Sequence, residues 1–391
     1  MKILVAGGGI GGLVAAIALS QRGLEVEVLE QQAEPREVGA GIAIAPNGAR
    51  VLTSLGIDNS IAPVLHSPAG VRLRSGRSGR LIVDRRLDSE EARPGARSYN
   101  LHRGDLRQAL LAAALACPNV AIRLGQRVVS ISEEPKRIRV ETHAGSSASG
   151  DALIGADGIH SVVRRTVAGP DAPQFAGEVV WRGLVKRDRV PADASAEFAT
   201  VWSGTDRHFL HYLVRGGELL NIGGFVESEE WRNESWTEPG RKADFARLFA
   251  NFHPAVRKII DGTDECFVQA IHQRAPLAAW WKGRAVLVGD ACHAMPPHMG
   301  QGAGMAIEDA VVLARSMAEH RSDLATAFAS YQAKRHARVT RLVAQVREMG
   351  QLWNFGNPIR GAILHSFLWV MSRVRTSEPW AWVHDYDALS C

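Results

Sequence analysis

Five glycines cluster near the start of the chain with a spacing that can bind phosphate. The run Gly-Gly-Gly-Ile-Gly-Gly that begins at Gly7 fits the pattern G-x-G-x-x-G. In this pattern Gly7 permits a sharp turn, Gly9 lets the backbone approach a pyrophosphate, and Gly12 lets a helix pack closely on a strand. Together with Ile10 and Gly11, these residues would place free N–H groups at a helix N-terminus, where a diphosphate binds. The spacing therefore predicts a dinucleotide-binding turn, provided that a strand precedes it and a helix follows.

A carboxylate follows at the place where a nucleotide ribose would lie. Glu30 ends an alternating run about 20 residues after the glycines, where an acid accepts hydrogen bonds from ribose hydroxyl groups. A carboxylate there repels a ribose 2′-phosphate, because both groups are negative. The nucleotide is therefore predicted to be FAD or NAD rather than NADP, and this motif alone does not separate the first two.

The elements that would position these residues are predicted by the first thirty residues. Residues 3–6 are apolar and favour a buried parallel strand, and residues 13–22 are rich in Ala and Leu and favour a helix. Gly23 suits the position just after a helix. Residues 25–30 alternate with β-branched residues and indicate a second strand. This order is the βαβ unit that gives the glycine pattern its meaning.

The composition is that of a soluble globular protein. The 391 residues are 46% hydrophobic and 22% charged, which excludes a disordered chain, a collagen and a coiled coil. The formal net charge is +5, but the basic residues are scattered, so nucleic-acid binding is not expected. Residues 3–21 carry no charge and in that respect resemble a secretory signal. The glycine cluster within them marks a turn instead, so we expect no membrane span.

The four cysteines indicate neither a disulfide framework nor a metal site. They lie far apart at Cys117, Cys266, Cys292 and Cys391, without metal-ligand spacing. A reducing cytoplasm is therefore the predicted location. Tryptophans near the C-terminus are interpreted as core or as a subunit interface, which is compatible with a homodimer.

The rest of the chain changes character twice. From about residue 177 to 266, aromatic and β-branched residues alternate with polar ones, as in an antiparallel sheet, with turns at 204–206 and 216–217. A strand at 285–288 and a helix at 304–320 then resume the earlier pattern, and the C-terminal third is mainly helical. The predicted fold is α/β: a Rossmann-type nucleotide-binding domain (1–174 and 276–391) with an inserted β-sheet substrate domain (175–275) and a helical C-terminal region.

Two further motifs lie downstream of the glycine turn. They read Gly-Ala-Asp-Gly-Ile-His-Ser-Val-Val-Arg from Gly155, and Gly-Asp-Ala-Cys-His-Ala-Met-Pro-Pro-His-Met-Gly-Gln-Gly from Gly289. With the first motif, they resemble the three signatures of the class A flavoprotein monooxygenases, the single-component FAD-dependent aromatic hydroxylases. The nearest resemblance is to salicylate hydroxylase and 3-hydroxybenzoate 6-hydroxylase members. It covers nearly the whole chain and includes further matching segments at residues 38–42, 46–47, 101–106 and 181–183.

The resemblance implies roles for individual residues. Asp290 would hold the ribityl chain of FAD, and Arg103 would contact the cofactor. Asp157 would belong to a loop that serves both FAD and a nicotinamide donor, while Pro297 would lie beside the reactive edge of the flavin. No second dinucleotide motif is visible, and the family binds NADH or NADPH only transiently, so its preference between them is not predicted.

A further contact with the flavin is predicted at the start of a helix. Gln301, Gly302 and Ala303 lie at the predicted start of a helix, where open backbone N–H groups and the helix dipole would stabilise an anionic reduced flavin. Gln301 is for this reason grouped with the catalytic candidates.

One strand of the predicted sheet carries a histidine and a tyrosine four residues apart. Alternation over 207–214 places His208 and Tyr212 on the same face and His211 on the other. The arrangement resembles the strand that lines the substrate pocket in salicylate and 3-hydroxybenzoate hydroxylases. His208 is therefore the predicted acid/base that takes the proton from a phenol, and Tyr212 would orient the ring. His211, His293 and His298 rank below His208, and no metal site is expected.

The predicted reaction is the hydroxylation of a phenolic aromatic acid, such as salicylate or a 3-hydroxybenzoate-like compound, with NAD(P)H and O₂ by way of a flavin C4a-hydroperoxide. An N-heteroaromatic acid such as hydroxynicotinate is the second substrate class. Relatives acting on hydroxynicotinate tend to carry His where this chain has Ala43, which disfavours that class. An epoxidising or ring-expanding monooxygenase, a flavin-dependent reductase that needs no oxygen, and a non-catalytic flavin sensor remain as alternatives.

Overall fold

The computed structural model describes residues 1–34, 40–87, 97–194, 196–229, 238–355, 357–374 and 380–391. Val38 and Gly39, which carry part of the family resemblance, lie outside these ranges. The strands are β1 Lys2–Ala6, β2 Glu25–Leu29, β3 Gly41–Ile44, β4 Gly70–Ser75, β5 Leu81–Arg86, β6 Tyr99–His102, β7 Val120–Arg123, β8 Val128–Glu133, β9 Ile138–Thr142, β10 Ser147–Gly150, β11 Ala152–Gly155, β12 Gln174–Lys186, β13 Phe198–Ser203, β14 Arg207–Val214, β15 Leu219–Glu227, β16 Glu238–Gly240, β17 Cys266–Gln273, β18 Trp281–Lys282 and β19 Ala285–Leu287.

The helices surround these strands and dominate the last third of the chain. They are α1 Ile10–Ser20, α2 Pro46–Ser54, α3 Asp58–Ile61, α4 Arg103–Leu115, α5 Val162–Ala168, α6 Lys242–Leu248, α7 Pro254–Asp261, α8 Asp290–His293, α9 Gly302–Glu319, α10 Leu324–Trp353, α11 Pro358–Val374 and α12 Ala381–His384.

The first sheet is the predicted nucleotide-binding sheet. Its six strands run in the order β18-β19-β11-β1-β2-β7, and β1 is parallel to both β2 and β11. Residues of β1 and α1 are almost completely buried, because α1 lies between the sheet and α9. A strand covered on both faces is expected to be apolar throughout, as β1 is, and Gly150 of β10 packs against Leu4 of β1. The glycine turn is thereby held between two almost fully buried elements.

The second sheet forms the floor opposite the nucleotide-binding sheet. It has eight strands in the order β16-β17-β12-β15-β14-β13-β4-β5, antiparallel except for the pair of β13 and β4. Its outer face packs on α6 and α7 around an aromatic cluster that includes Phe209, Phe245 and Phe249. The other face is turned toward the nucleotide-binding sheet, and the candidate site lies between them.

The structure confirms the α/β class, the βαβ start, the antiparallel region and the helical C-terminal third. Both predicted turns occur, since 204–206 joins β13 to β14 and 216–217 lies between β14 and β15. Strands β4 and β5, however, lie in the N-terminal third of the chain and still join the substrate sheet. The domain boundaries at 174 and 275 stay a prediction.

Two features of the C-terminal region complete the fold. Trp382 packs against the guanidinium groups of Arg338 and Arg341, whereas Trp369 is 40% exposed on α11. Among the helices of the described residues, none is both long and apolar enough to cross a bilayer.

Candidate active site

A cavity of about 510 Å³ lies between the two sheets. One end is lined by the starts of α1 and α9, with Gly9, Ile10, Gly11, Gly302 and Ala303. The other end is lined by the inner face of β12, β14, β15 and β17. The cavity is therefore elongated, with backbone-rich walls at one end and side chains at the other.

The glycine turn has the geometry that its spacing predicts. Gly7 has a φ of +104°, and a Cβ there would lie 2.3 Å from the carbonyl oxygen of Ala156. A Cβ on Gly12 would lie 2.0 Å from the carbonyl oxygen of Gly7. At Gly9, by contrast, no described atom lies within 4 Å of a built Cβ, so the backbone is open to the cavity. Two glycines thus make the turn possible, and a third leaves space for a ligand.

Glu30 is tied to this turn by both of its carboxylate oxygens. The N–H of Gly8 donates to one oxygen over 2.5 Å, and the N–H of Gln32 donates to the other over 2.8 Å. The guanidinium of Arg107 lies 3.8 Å away and also donates to the carbonyl of Gly8 over 3.0 Å. Glu30 is 6% exposed and is not among the described residues lining the cavity. Its contact with a ribose stays a prediction.

The second glycine-aspartate loop is held by a buried carboxylate. Gly289 has a φ of +58°, and its N–H donates to Asp309 over 3.0 Å. Nε2 of His293 lies 2.6 Å from the same oxygen of Asp309. Burial opposes ionisation of Asp309, but the charges of His293 and Arg335 lower its pKa to about 2. The neighbouring Asp290 is exposed and lines the cavity.

An ion network behind α9 was not foreseen from the sequence. Arg335 pairs with Asp309 over 2.8 Å and with Glu308, and Arg338 pairs with Glu308 over 2.9 Å. Nδ2 of Asn47 donates to Glu308 over 2.6 Å. The sequence indicates this network only weakly. The signal consists of two adjacent acids in the middle of α9 and two arginines three residues apart on α10. The network fixes α9 against α10 and α2.

The start of α9 is open, as the sequence predicts. Met305 is the first residue whose N–H bonds within the helix, to the carbonyl of Gln301, and no side chain caps the helix. No described atom lies within 4 Å of a Cβ built on Gly302. The side chain of Gln301 is instead buried and accepts a hydrogen bond from Asn47 over 3.2 Å. Gln301 thus faces α2, while Gly302 and Ala303 face the cavity.

Asp157 lies next to the cavity without lining it. Its carboxylate accepts hydrogen bonds from the hydroxyl of Ser161 and from the N–H groups of Val162 and Val163. Burial raises the pKa of Asp157, and these hydrogen bonds oppose that effect. Asp157 therefore shapes the loop, and its neighbours Ala156 and Gly158 contribute the cavity wall.

A fully buried arginine joins the two downstream motifs. Arg164 of α5 donates to the carbonyls of Cys292 over 2.6 Å and of Ala275 over 2.9 Å, and pairs with Asp171 over 2.8 Å. The last residue of the first downstream motif thereby positions the loop of the second.

The sheet end of the cavity carries the predicted tyrosine and an arginine. Tyr212 and Leu210 line the cavity from one face of β14, whereas Phe209 and Leu213 point into the core. His211, predicted for that second face, is fully buried but also borders the cavity. Burial raises the pKa of Tyr212 to about 12, although Arg182 opposes this shift. Arg182 also lines the cavity, and burial and the charge of Arg103 lower its pKa. Arg103 and Pro297 line the cavity as well.

The predicted acid/base residue lies one layer behind the wall. His208 is 2% exposed and stacks on Phe225, with ring centroids 4.4 Å apart. Phe225 lines the cavity, but His208 is not among the described lining residues. Burial lowers the pKa of His208 to about 4, so it is neutral near pH 7. His298, which the sequence ranked lower, does line the cavity, with its ring 6.0 Å from that of His208.

Comparisons with known proteins agree with this geometry over the whole chain. A 3-hydroxybenzoate 6-hydroxylase of Polaromonas naphthalenivorans is 34% identical, covering 100% of this chain and 97% of that protein. A 6-hydroxynicotinate 3-monooxygenase of Pseudomonas fluorescens is 33% identical, with coverages of 100% and 96%. The structure of Klebsiella pneumoniae HpxO complexed with FAD and uric acid superposes with a TM-score of 0.83 at 30% identity, covering 98% of this chain and 95% of HpxO.

Fold and site together define an FAD-dependent monooxygenase. A family model described as an FAD binding domain matches residues 1–346, and the chain belongs to this family. The open start of α1 fits the diphosphate of FAD, and the open start of α9 fits its isoalloxazine ring. The expected cofactor and the resemblance to the class A flavoprotein monooxygenases are thereby confirmed, while the roles of single residues stay predictions.

Proposed function

We propose that this protein hydroxylates an aromatic acid that carries a phenolic hydroxyl, such as salicylate or a 3-hydroxybenzoate-like compound. One oxygen atom of O₂ enters the ring and the other leaves as water, while NADH or NADPH is oxidised and one proton is consumed. When bound, FAD supplies the chemistry that carries the two electrons of the nicotinamide to O₂. The remaining work falls to the residues of this chain.

The observation that carries the proposal is the state of Arg182. Arg182 lines the cavity, and its Nε donates a hydrogen bond to the side-chain oxygen of Gln269, 3.3 Å away. Within the described part of the chain no carboxylate pairs with it. A guanidinium keeps its charge, and a buried charge is costly unless it is paired. A carboxylate on the substrate would supply the missing partner with a charge-assisted hydrogen bond.

Tyr212 would orient the ring of the substrate beside Arg182. Because burial raises its pKa to about 12, Tyr212 keeps its proton at neutral pH and can donate a hydrogen bond. It is therefore suited to positioning rather than to proton abstraction.

Apolar lining residues would keep water away from the reacting atoms. Leu210, Phe225, Met295 and Pro297 line the cavity between its two ends. Exclusion of water matters in oxygen chemistry of this kind, since solvent access favours side reactions. We propose that Pro297 lies at the edge of the flavin and that Asp290 and Arg103 hold the cofactor from the opposite walls.

We propose that His208 supports the substrate wall from behind Phe225. A neutral imidazole in that position can accept or donate a hydrogen bond to its neighbours.

A hydroxynicotinate-like acid is the second candidate. It is supported by the similarity to the 6-hydroxynicotinate 3-monooxygenase over the whole chain. The sequence identity to that enzyme is 33%, against 34% to the 3-hydroxybenzoate 6-hydroxylase. Ala43 lines the cavity at the position where the resemblance to hydroxynicotinate enzymes expects histidine. Alanine has no imidazole that could bind the ring nitrogen of a heterocyclic substrate. The hydroxybenzoate class is therefore preferred.

The test is a substrate panel with the purified holoenzyme. NADH oxidation, O₂ consumption and product formation are measured with salicylate, 3-hydroxybenzoate, 6-hydroxynicotinate and unsubstituted phenol. We expect a hydroxylated product from a hydroxybenzoate, and much weaker stimulation by phenol, which lacks the carboxylate. Product formation from 6-hydroxynicotinate alone would favour the second candidate. Reduction of an unsaturated acid without O₂ would replace the proposal by a reductase.

A further inference from the structure

Four side chains from distant parts of the chain meet at one side of the sheet end of the cavity. They are Glu178 of β12, His208 of β14, His298 of the loop before α9, and Asn354 just after α10. Nε2 of His298 lies 3.1 Å from Glu178, and Nδ2 of Asn354 donates to the other oxygen of Glu178 over 2.7 Å. Nδ1 of His208 lies 3.0 Å from Oδ1 of Asn354. We refer to these four residues as the Glu178 cluster.

The hydrogen bonds of the Glu178 cluster fix which nitrogen carries each proton. An ionised carboxylate can only accept, so Asn354 must turn its amide group toward Glu178. The oxygen of Asn354 then faces His208, and Nδ1 of His208 must be the donor. By the same reasoning Nε2 of His298 donates to Glu178. The carboxylate therefore determines the tautomer of both histidines, directly for His298 and through Asn354 for His208.

Glu178 is suited to hold a proton-accepting histidine. Burial opposes ionisation of Glu178, but its hydrogen bond to His298 and the charges of the two histidines lower its pKa below the ordinary value. The side chains of Glu178 and His298 are 8% and 5% exposed, so solvent screens their interaction little. A carboxylate that binds one N–H of an imidazole stabilises the imidazolium formed at the other nitrogen.

The second nitrogen of His298 is left without a partner. Nδ1 is buried and has no hydrogen-bond partner within the described part of the chain, while the residue itself lines the cavity. The Nε2 edge is turned toward α10, where a Cβ on Gly350 would lie 2.7 Å from Nε2. Because Nε2 of the neutral imidazole is the donor to Glu178, Nδ1 is a hydrogen-bond acceptor whose bonding capacity is unused.

We propose that His298, positioned by Glu178, is the group that takes the proton of the substrate hydroxyl. This inference rests on the proposed function and replaces His208 as the direct proton acceptor. The O–H bond of the phenol breaks, a bond forms between the proton and Nδ1 of His298, and the electron pair stays on the phenolate oxygen. When the ring regains aromaticity after hydroxylation, the C–H bond at the hydroxylated carbon breaks, its electron pair returns to the ring and its proton leaves to water. The imidazolium then returns its own proton to the phenol oxygen. Glu178 acts through His298 and is a positioning residue.

The substrate end of the cavity then has two polar groups that bind different parts of the substrate. Arg182 would bind the carboxylate of the substrate, and the pair of His298 and Glu178 would meet its hydroxyl group. Such a substrate carries a carboxylate and a hydroxyl group on the same ring. The substrate class is thereby narrowed to hydroxylated aromatic acids that also have an unsubstituted ring carbon facing the flavin.

The experiment compares Glu178→Gln, His298→Gln and His208→Gln in the holoenzyme. Glutamine keeps the size of Glu178 but removes its charge, so the fold is retained and is checked by thermal melting. Glu197→Gln is the matched control, because Glu197 is an exposed carboxylate paired with Arg187 on the surface of the same sheet. Steady-state kinetics are measured with the best hydroxybenzoate of the panel. The ionisation of the bound substrate is followed by difference absorbance, since a phenolate absorbs at longer wavelength than a phenol.

We expect His298→Gln to lower kcat by on the order of 10²- to 10⁴-fold, the usual contribution of a general base, and to remove the phenolate signal. Glu178→Gln should lower kcat by about 10- to 100-fold, the range of a hydrogen bond to a charged group, with little change in KM, and should weaken the same signal. His208→Gln should keep the signal, and Glu197→Gln should match the wild type in every measurement.

Three results would overturn the inference. The first is wild-type kcat in His298→Gln or in Glu178→Gln. The second is a phenolate signal that survives in His298→Gln. The third is loss of the signal in His208→Gln alone. A wild-type holoenzyme that hydroxylates no member of the panel would instead remove the proposed function itself, so the two failures are distinguishable.

Discussion

The chain contributes mainly backbone at the nucleotide end of the cavity, whereas it contributes side chains at the substrate end. The starts of α1 and α9 offer N–H groups, and glycines at positions 9 and 302 leave space for the cofactor. The substrate end is lined by Arg182, Tyr212 and His298, with Glu178 paired to His298 behind the wall. The turn at Gly7 and Gly12 has no space for a side chain, while a wall of side chains can change its chemistry one residue at a time. The same scaffold can therefore keep its cofactor and alter its substrate.

The largest effect should come from a side chain forced into the backbone cradle. In Gly12→Val the new Cβ would lie 2.0 Å from the carbonyl oxygen of Gly7, so α1 could not pack on β1. We expect the purified variant to be colourless and to bind no added FAD, measured by flavin absorbance and fluorescence titration.

Gly9→Ala is the informative partner of this variant. A Cβ at position 9 meets no described atom within 4 Å, so the apoprotein should melt at the wild-type temperature. The methyl group would occupy space needed by the diphosphate, and FAD affinity should fall about tenfold, or about 1.4 kcal/mol. Equal FAD affinity in Gly9→Ala and the wild type would contradict the assignment of this cradle.

The second effect concerns the ion network that holds the nucleotide end together. Asp309→Asn removes a negative charge from a fully buried ion pair. The positive charge of Arg335 is then balanced only in part. We expect the free energy of unfolding to fall by about 3–5 kcal/mol at pH 7, measured by urea denaturation. Because Asp309 also binds the N–H of Gly289, retention of FAD should fall as well.

The pH dependence of this variant provides its control. The pKa of Asp309 in the folded protein is about 2, below its ordinary value of 3.8, so ionised Asp309 stabilises the fold. That stabilisation is complete above about pH 4 and is lost as the pH falls through about 2. The difference in stability between wild type and Asp309→Asn should therefore narrow over this range. A constant difference would show that the ionisation of Asp309 is not responsible.

The third effect is confined to the substrate end. Arg182→Gln keeps a hydrogen-bonding side chain but removes the positive charge. We expect KM for the hydroxybenzoate to rise by about 10- to 100-fold, the range of a charge-assisted hydrogen bond of about 1.5–3 kcal/mol. The Kd of FAD should stay unchanged. If KM for an uncharged phenol rose by the same factor, Arg182 would not be the carboxylate partner.

The smallest effect should come from Tyr212→Phe. The variant loses one hydrogen bond, worth about 0.5–1.5 kcal/mol, so kcat/KM should fall by no more than about tenfold. The raised pKa of Tyr212, about 12, means that its proton is present in both the acidic and neutral range. The pH profile between about 6 and 9 should therefore keep its shape, and a displaced profile would indicate that Tyr212 takes part in proton transfer.

The sequence predicts the nucleotide end far better than the substrate end, for a physical reason. A turn that requires positive φ at Gly7 and a close approach at Gly12 admits little besides glycine, so the pattern is visible in one short run. The pair of Glu178 and His298 joins residues far apart in the chain, and neither residue type is demanded by its own strand or loop. Likewise, β4 pairs with β13 across more than a hundred residues, and no local pattern announces that pairing.

The order of strands in the first sheet also bears on how the molecule is made. Strands β1, β2 and β7 leave the ribosome early, but β19 lies beyond residue 284 and pairs with β11 only after the eight-stranded sheet has been synthesised. The nascent chain therefore exposes the edge of β11 while residues 156–284 are made, a hazard for aggregation that chaperones counter. The start of α9, which lines the nucleotide end of the cavity, is made later still, so the cofactor cradle is complete only after residue 302 has been synthesised.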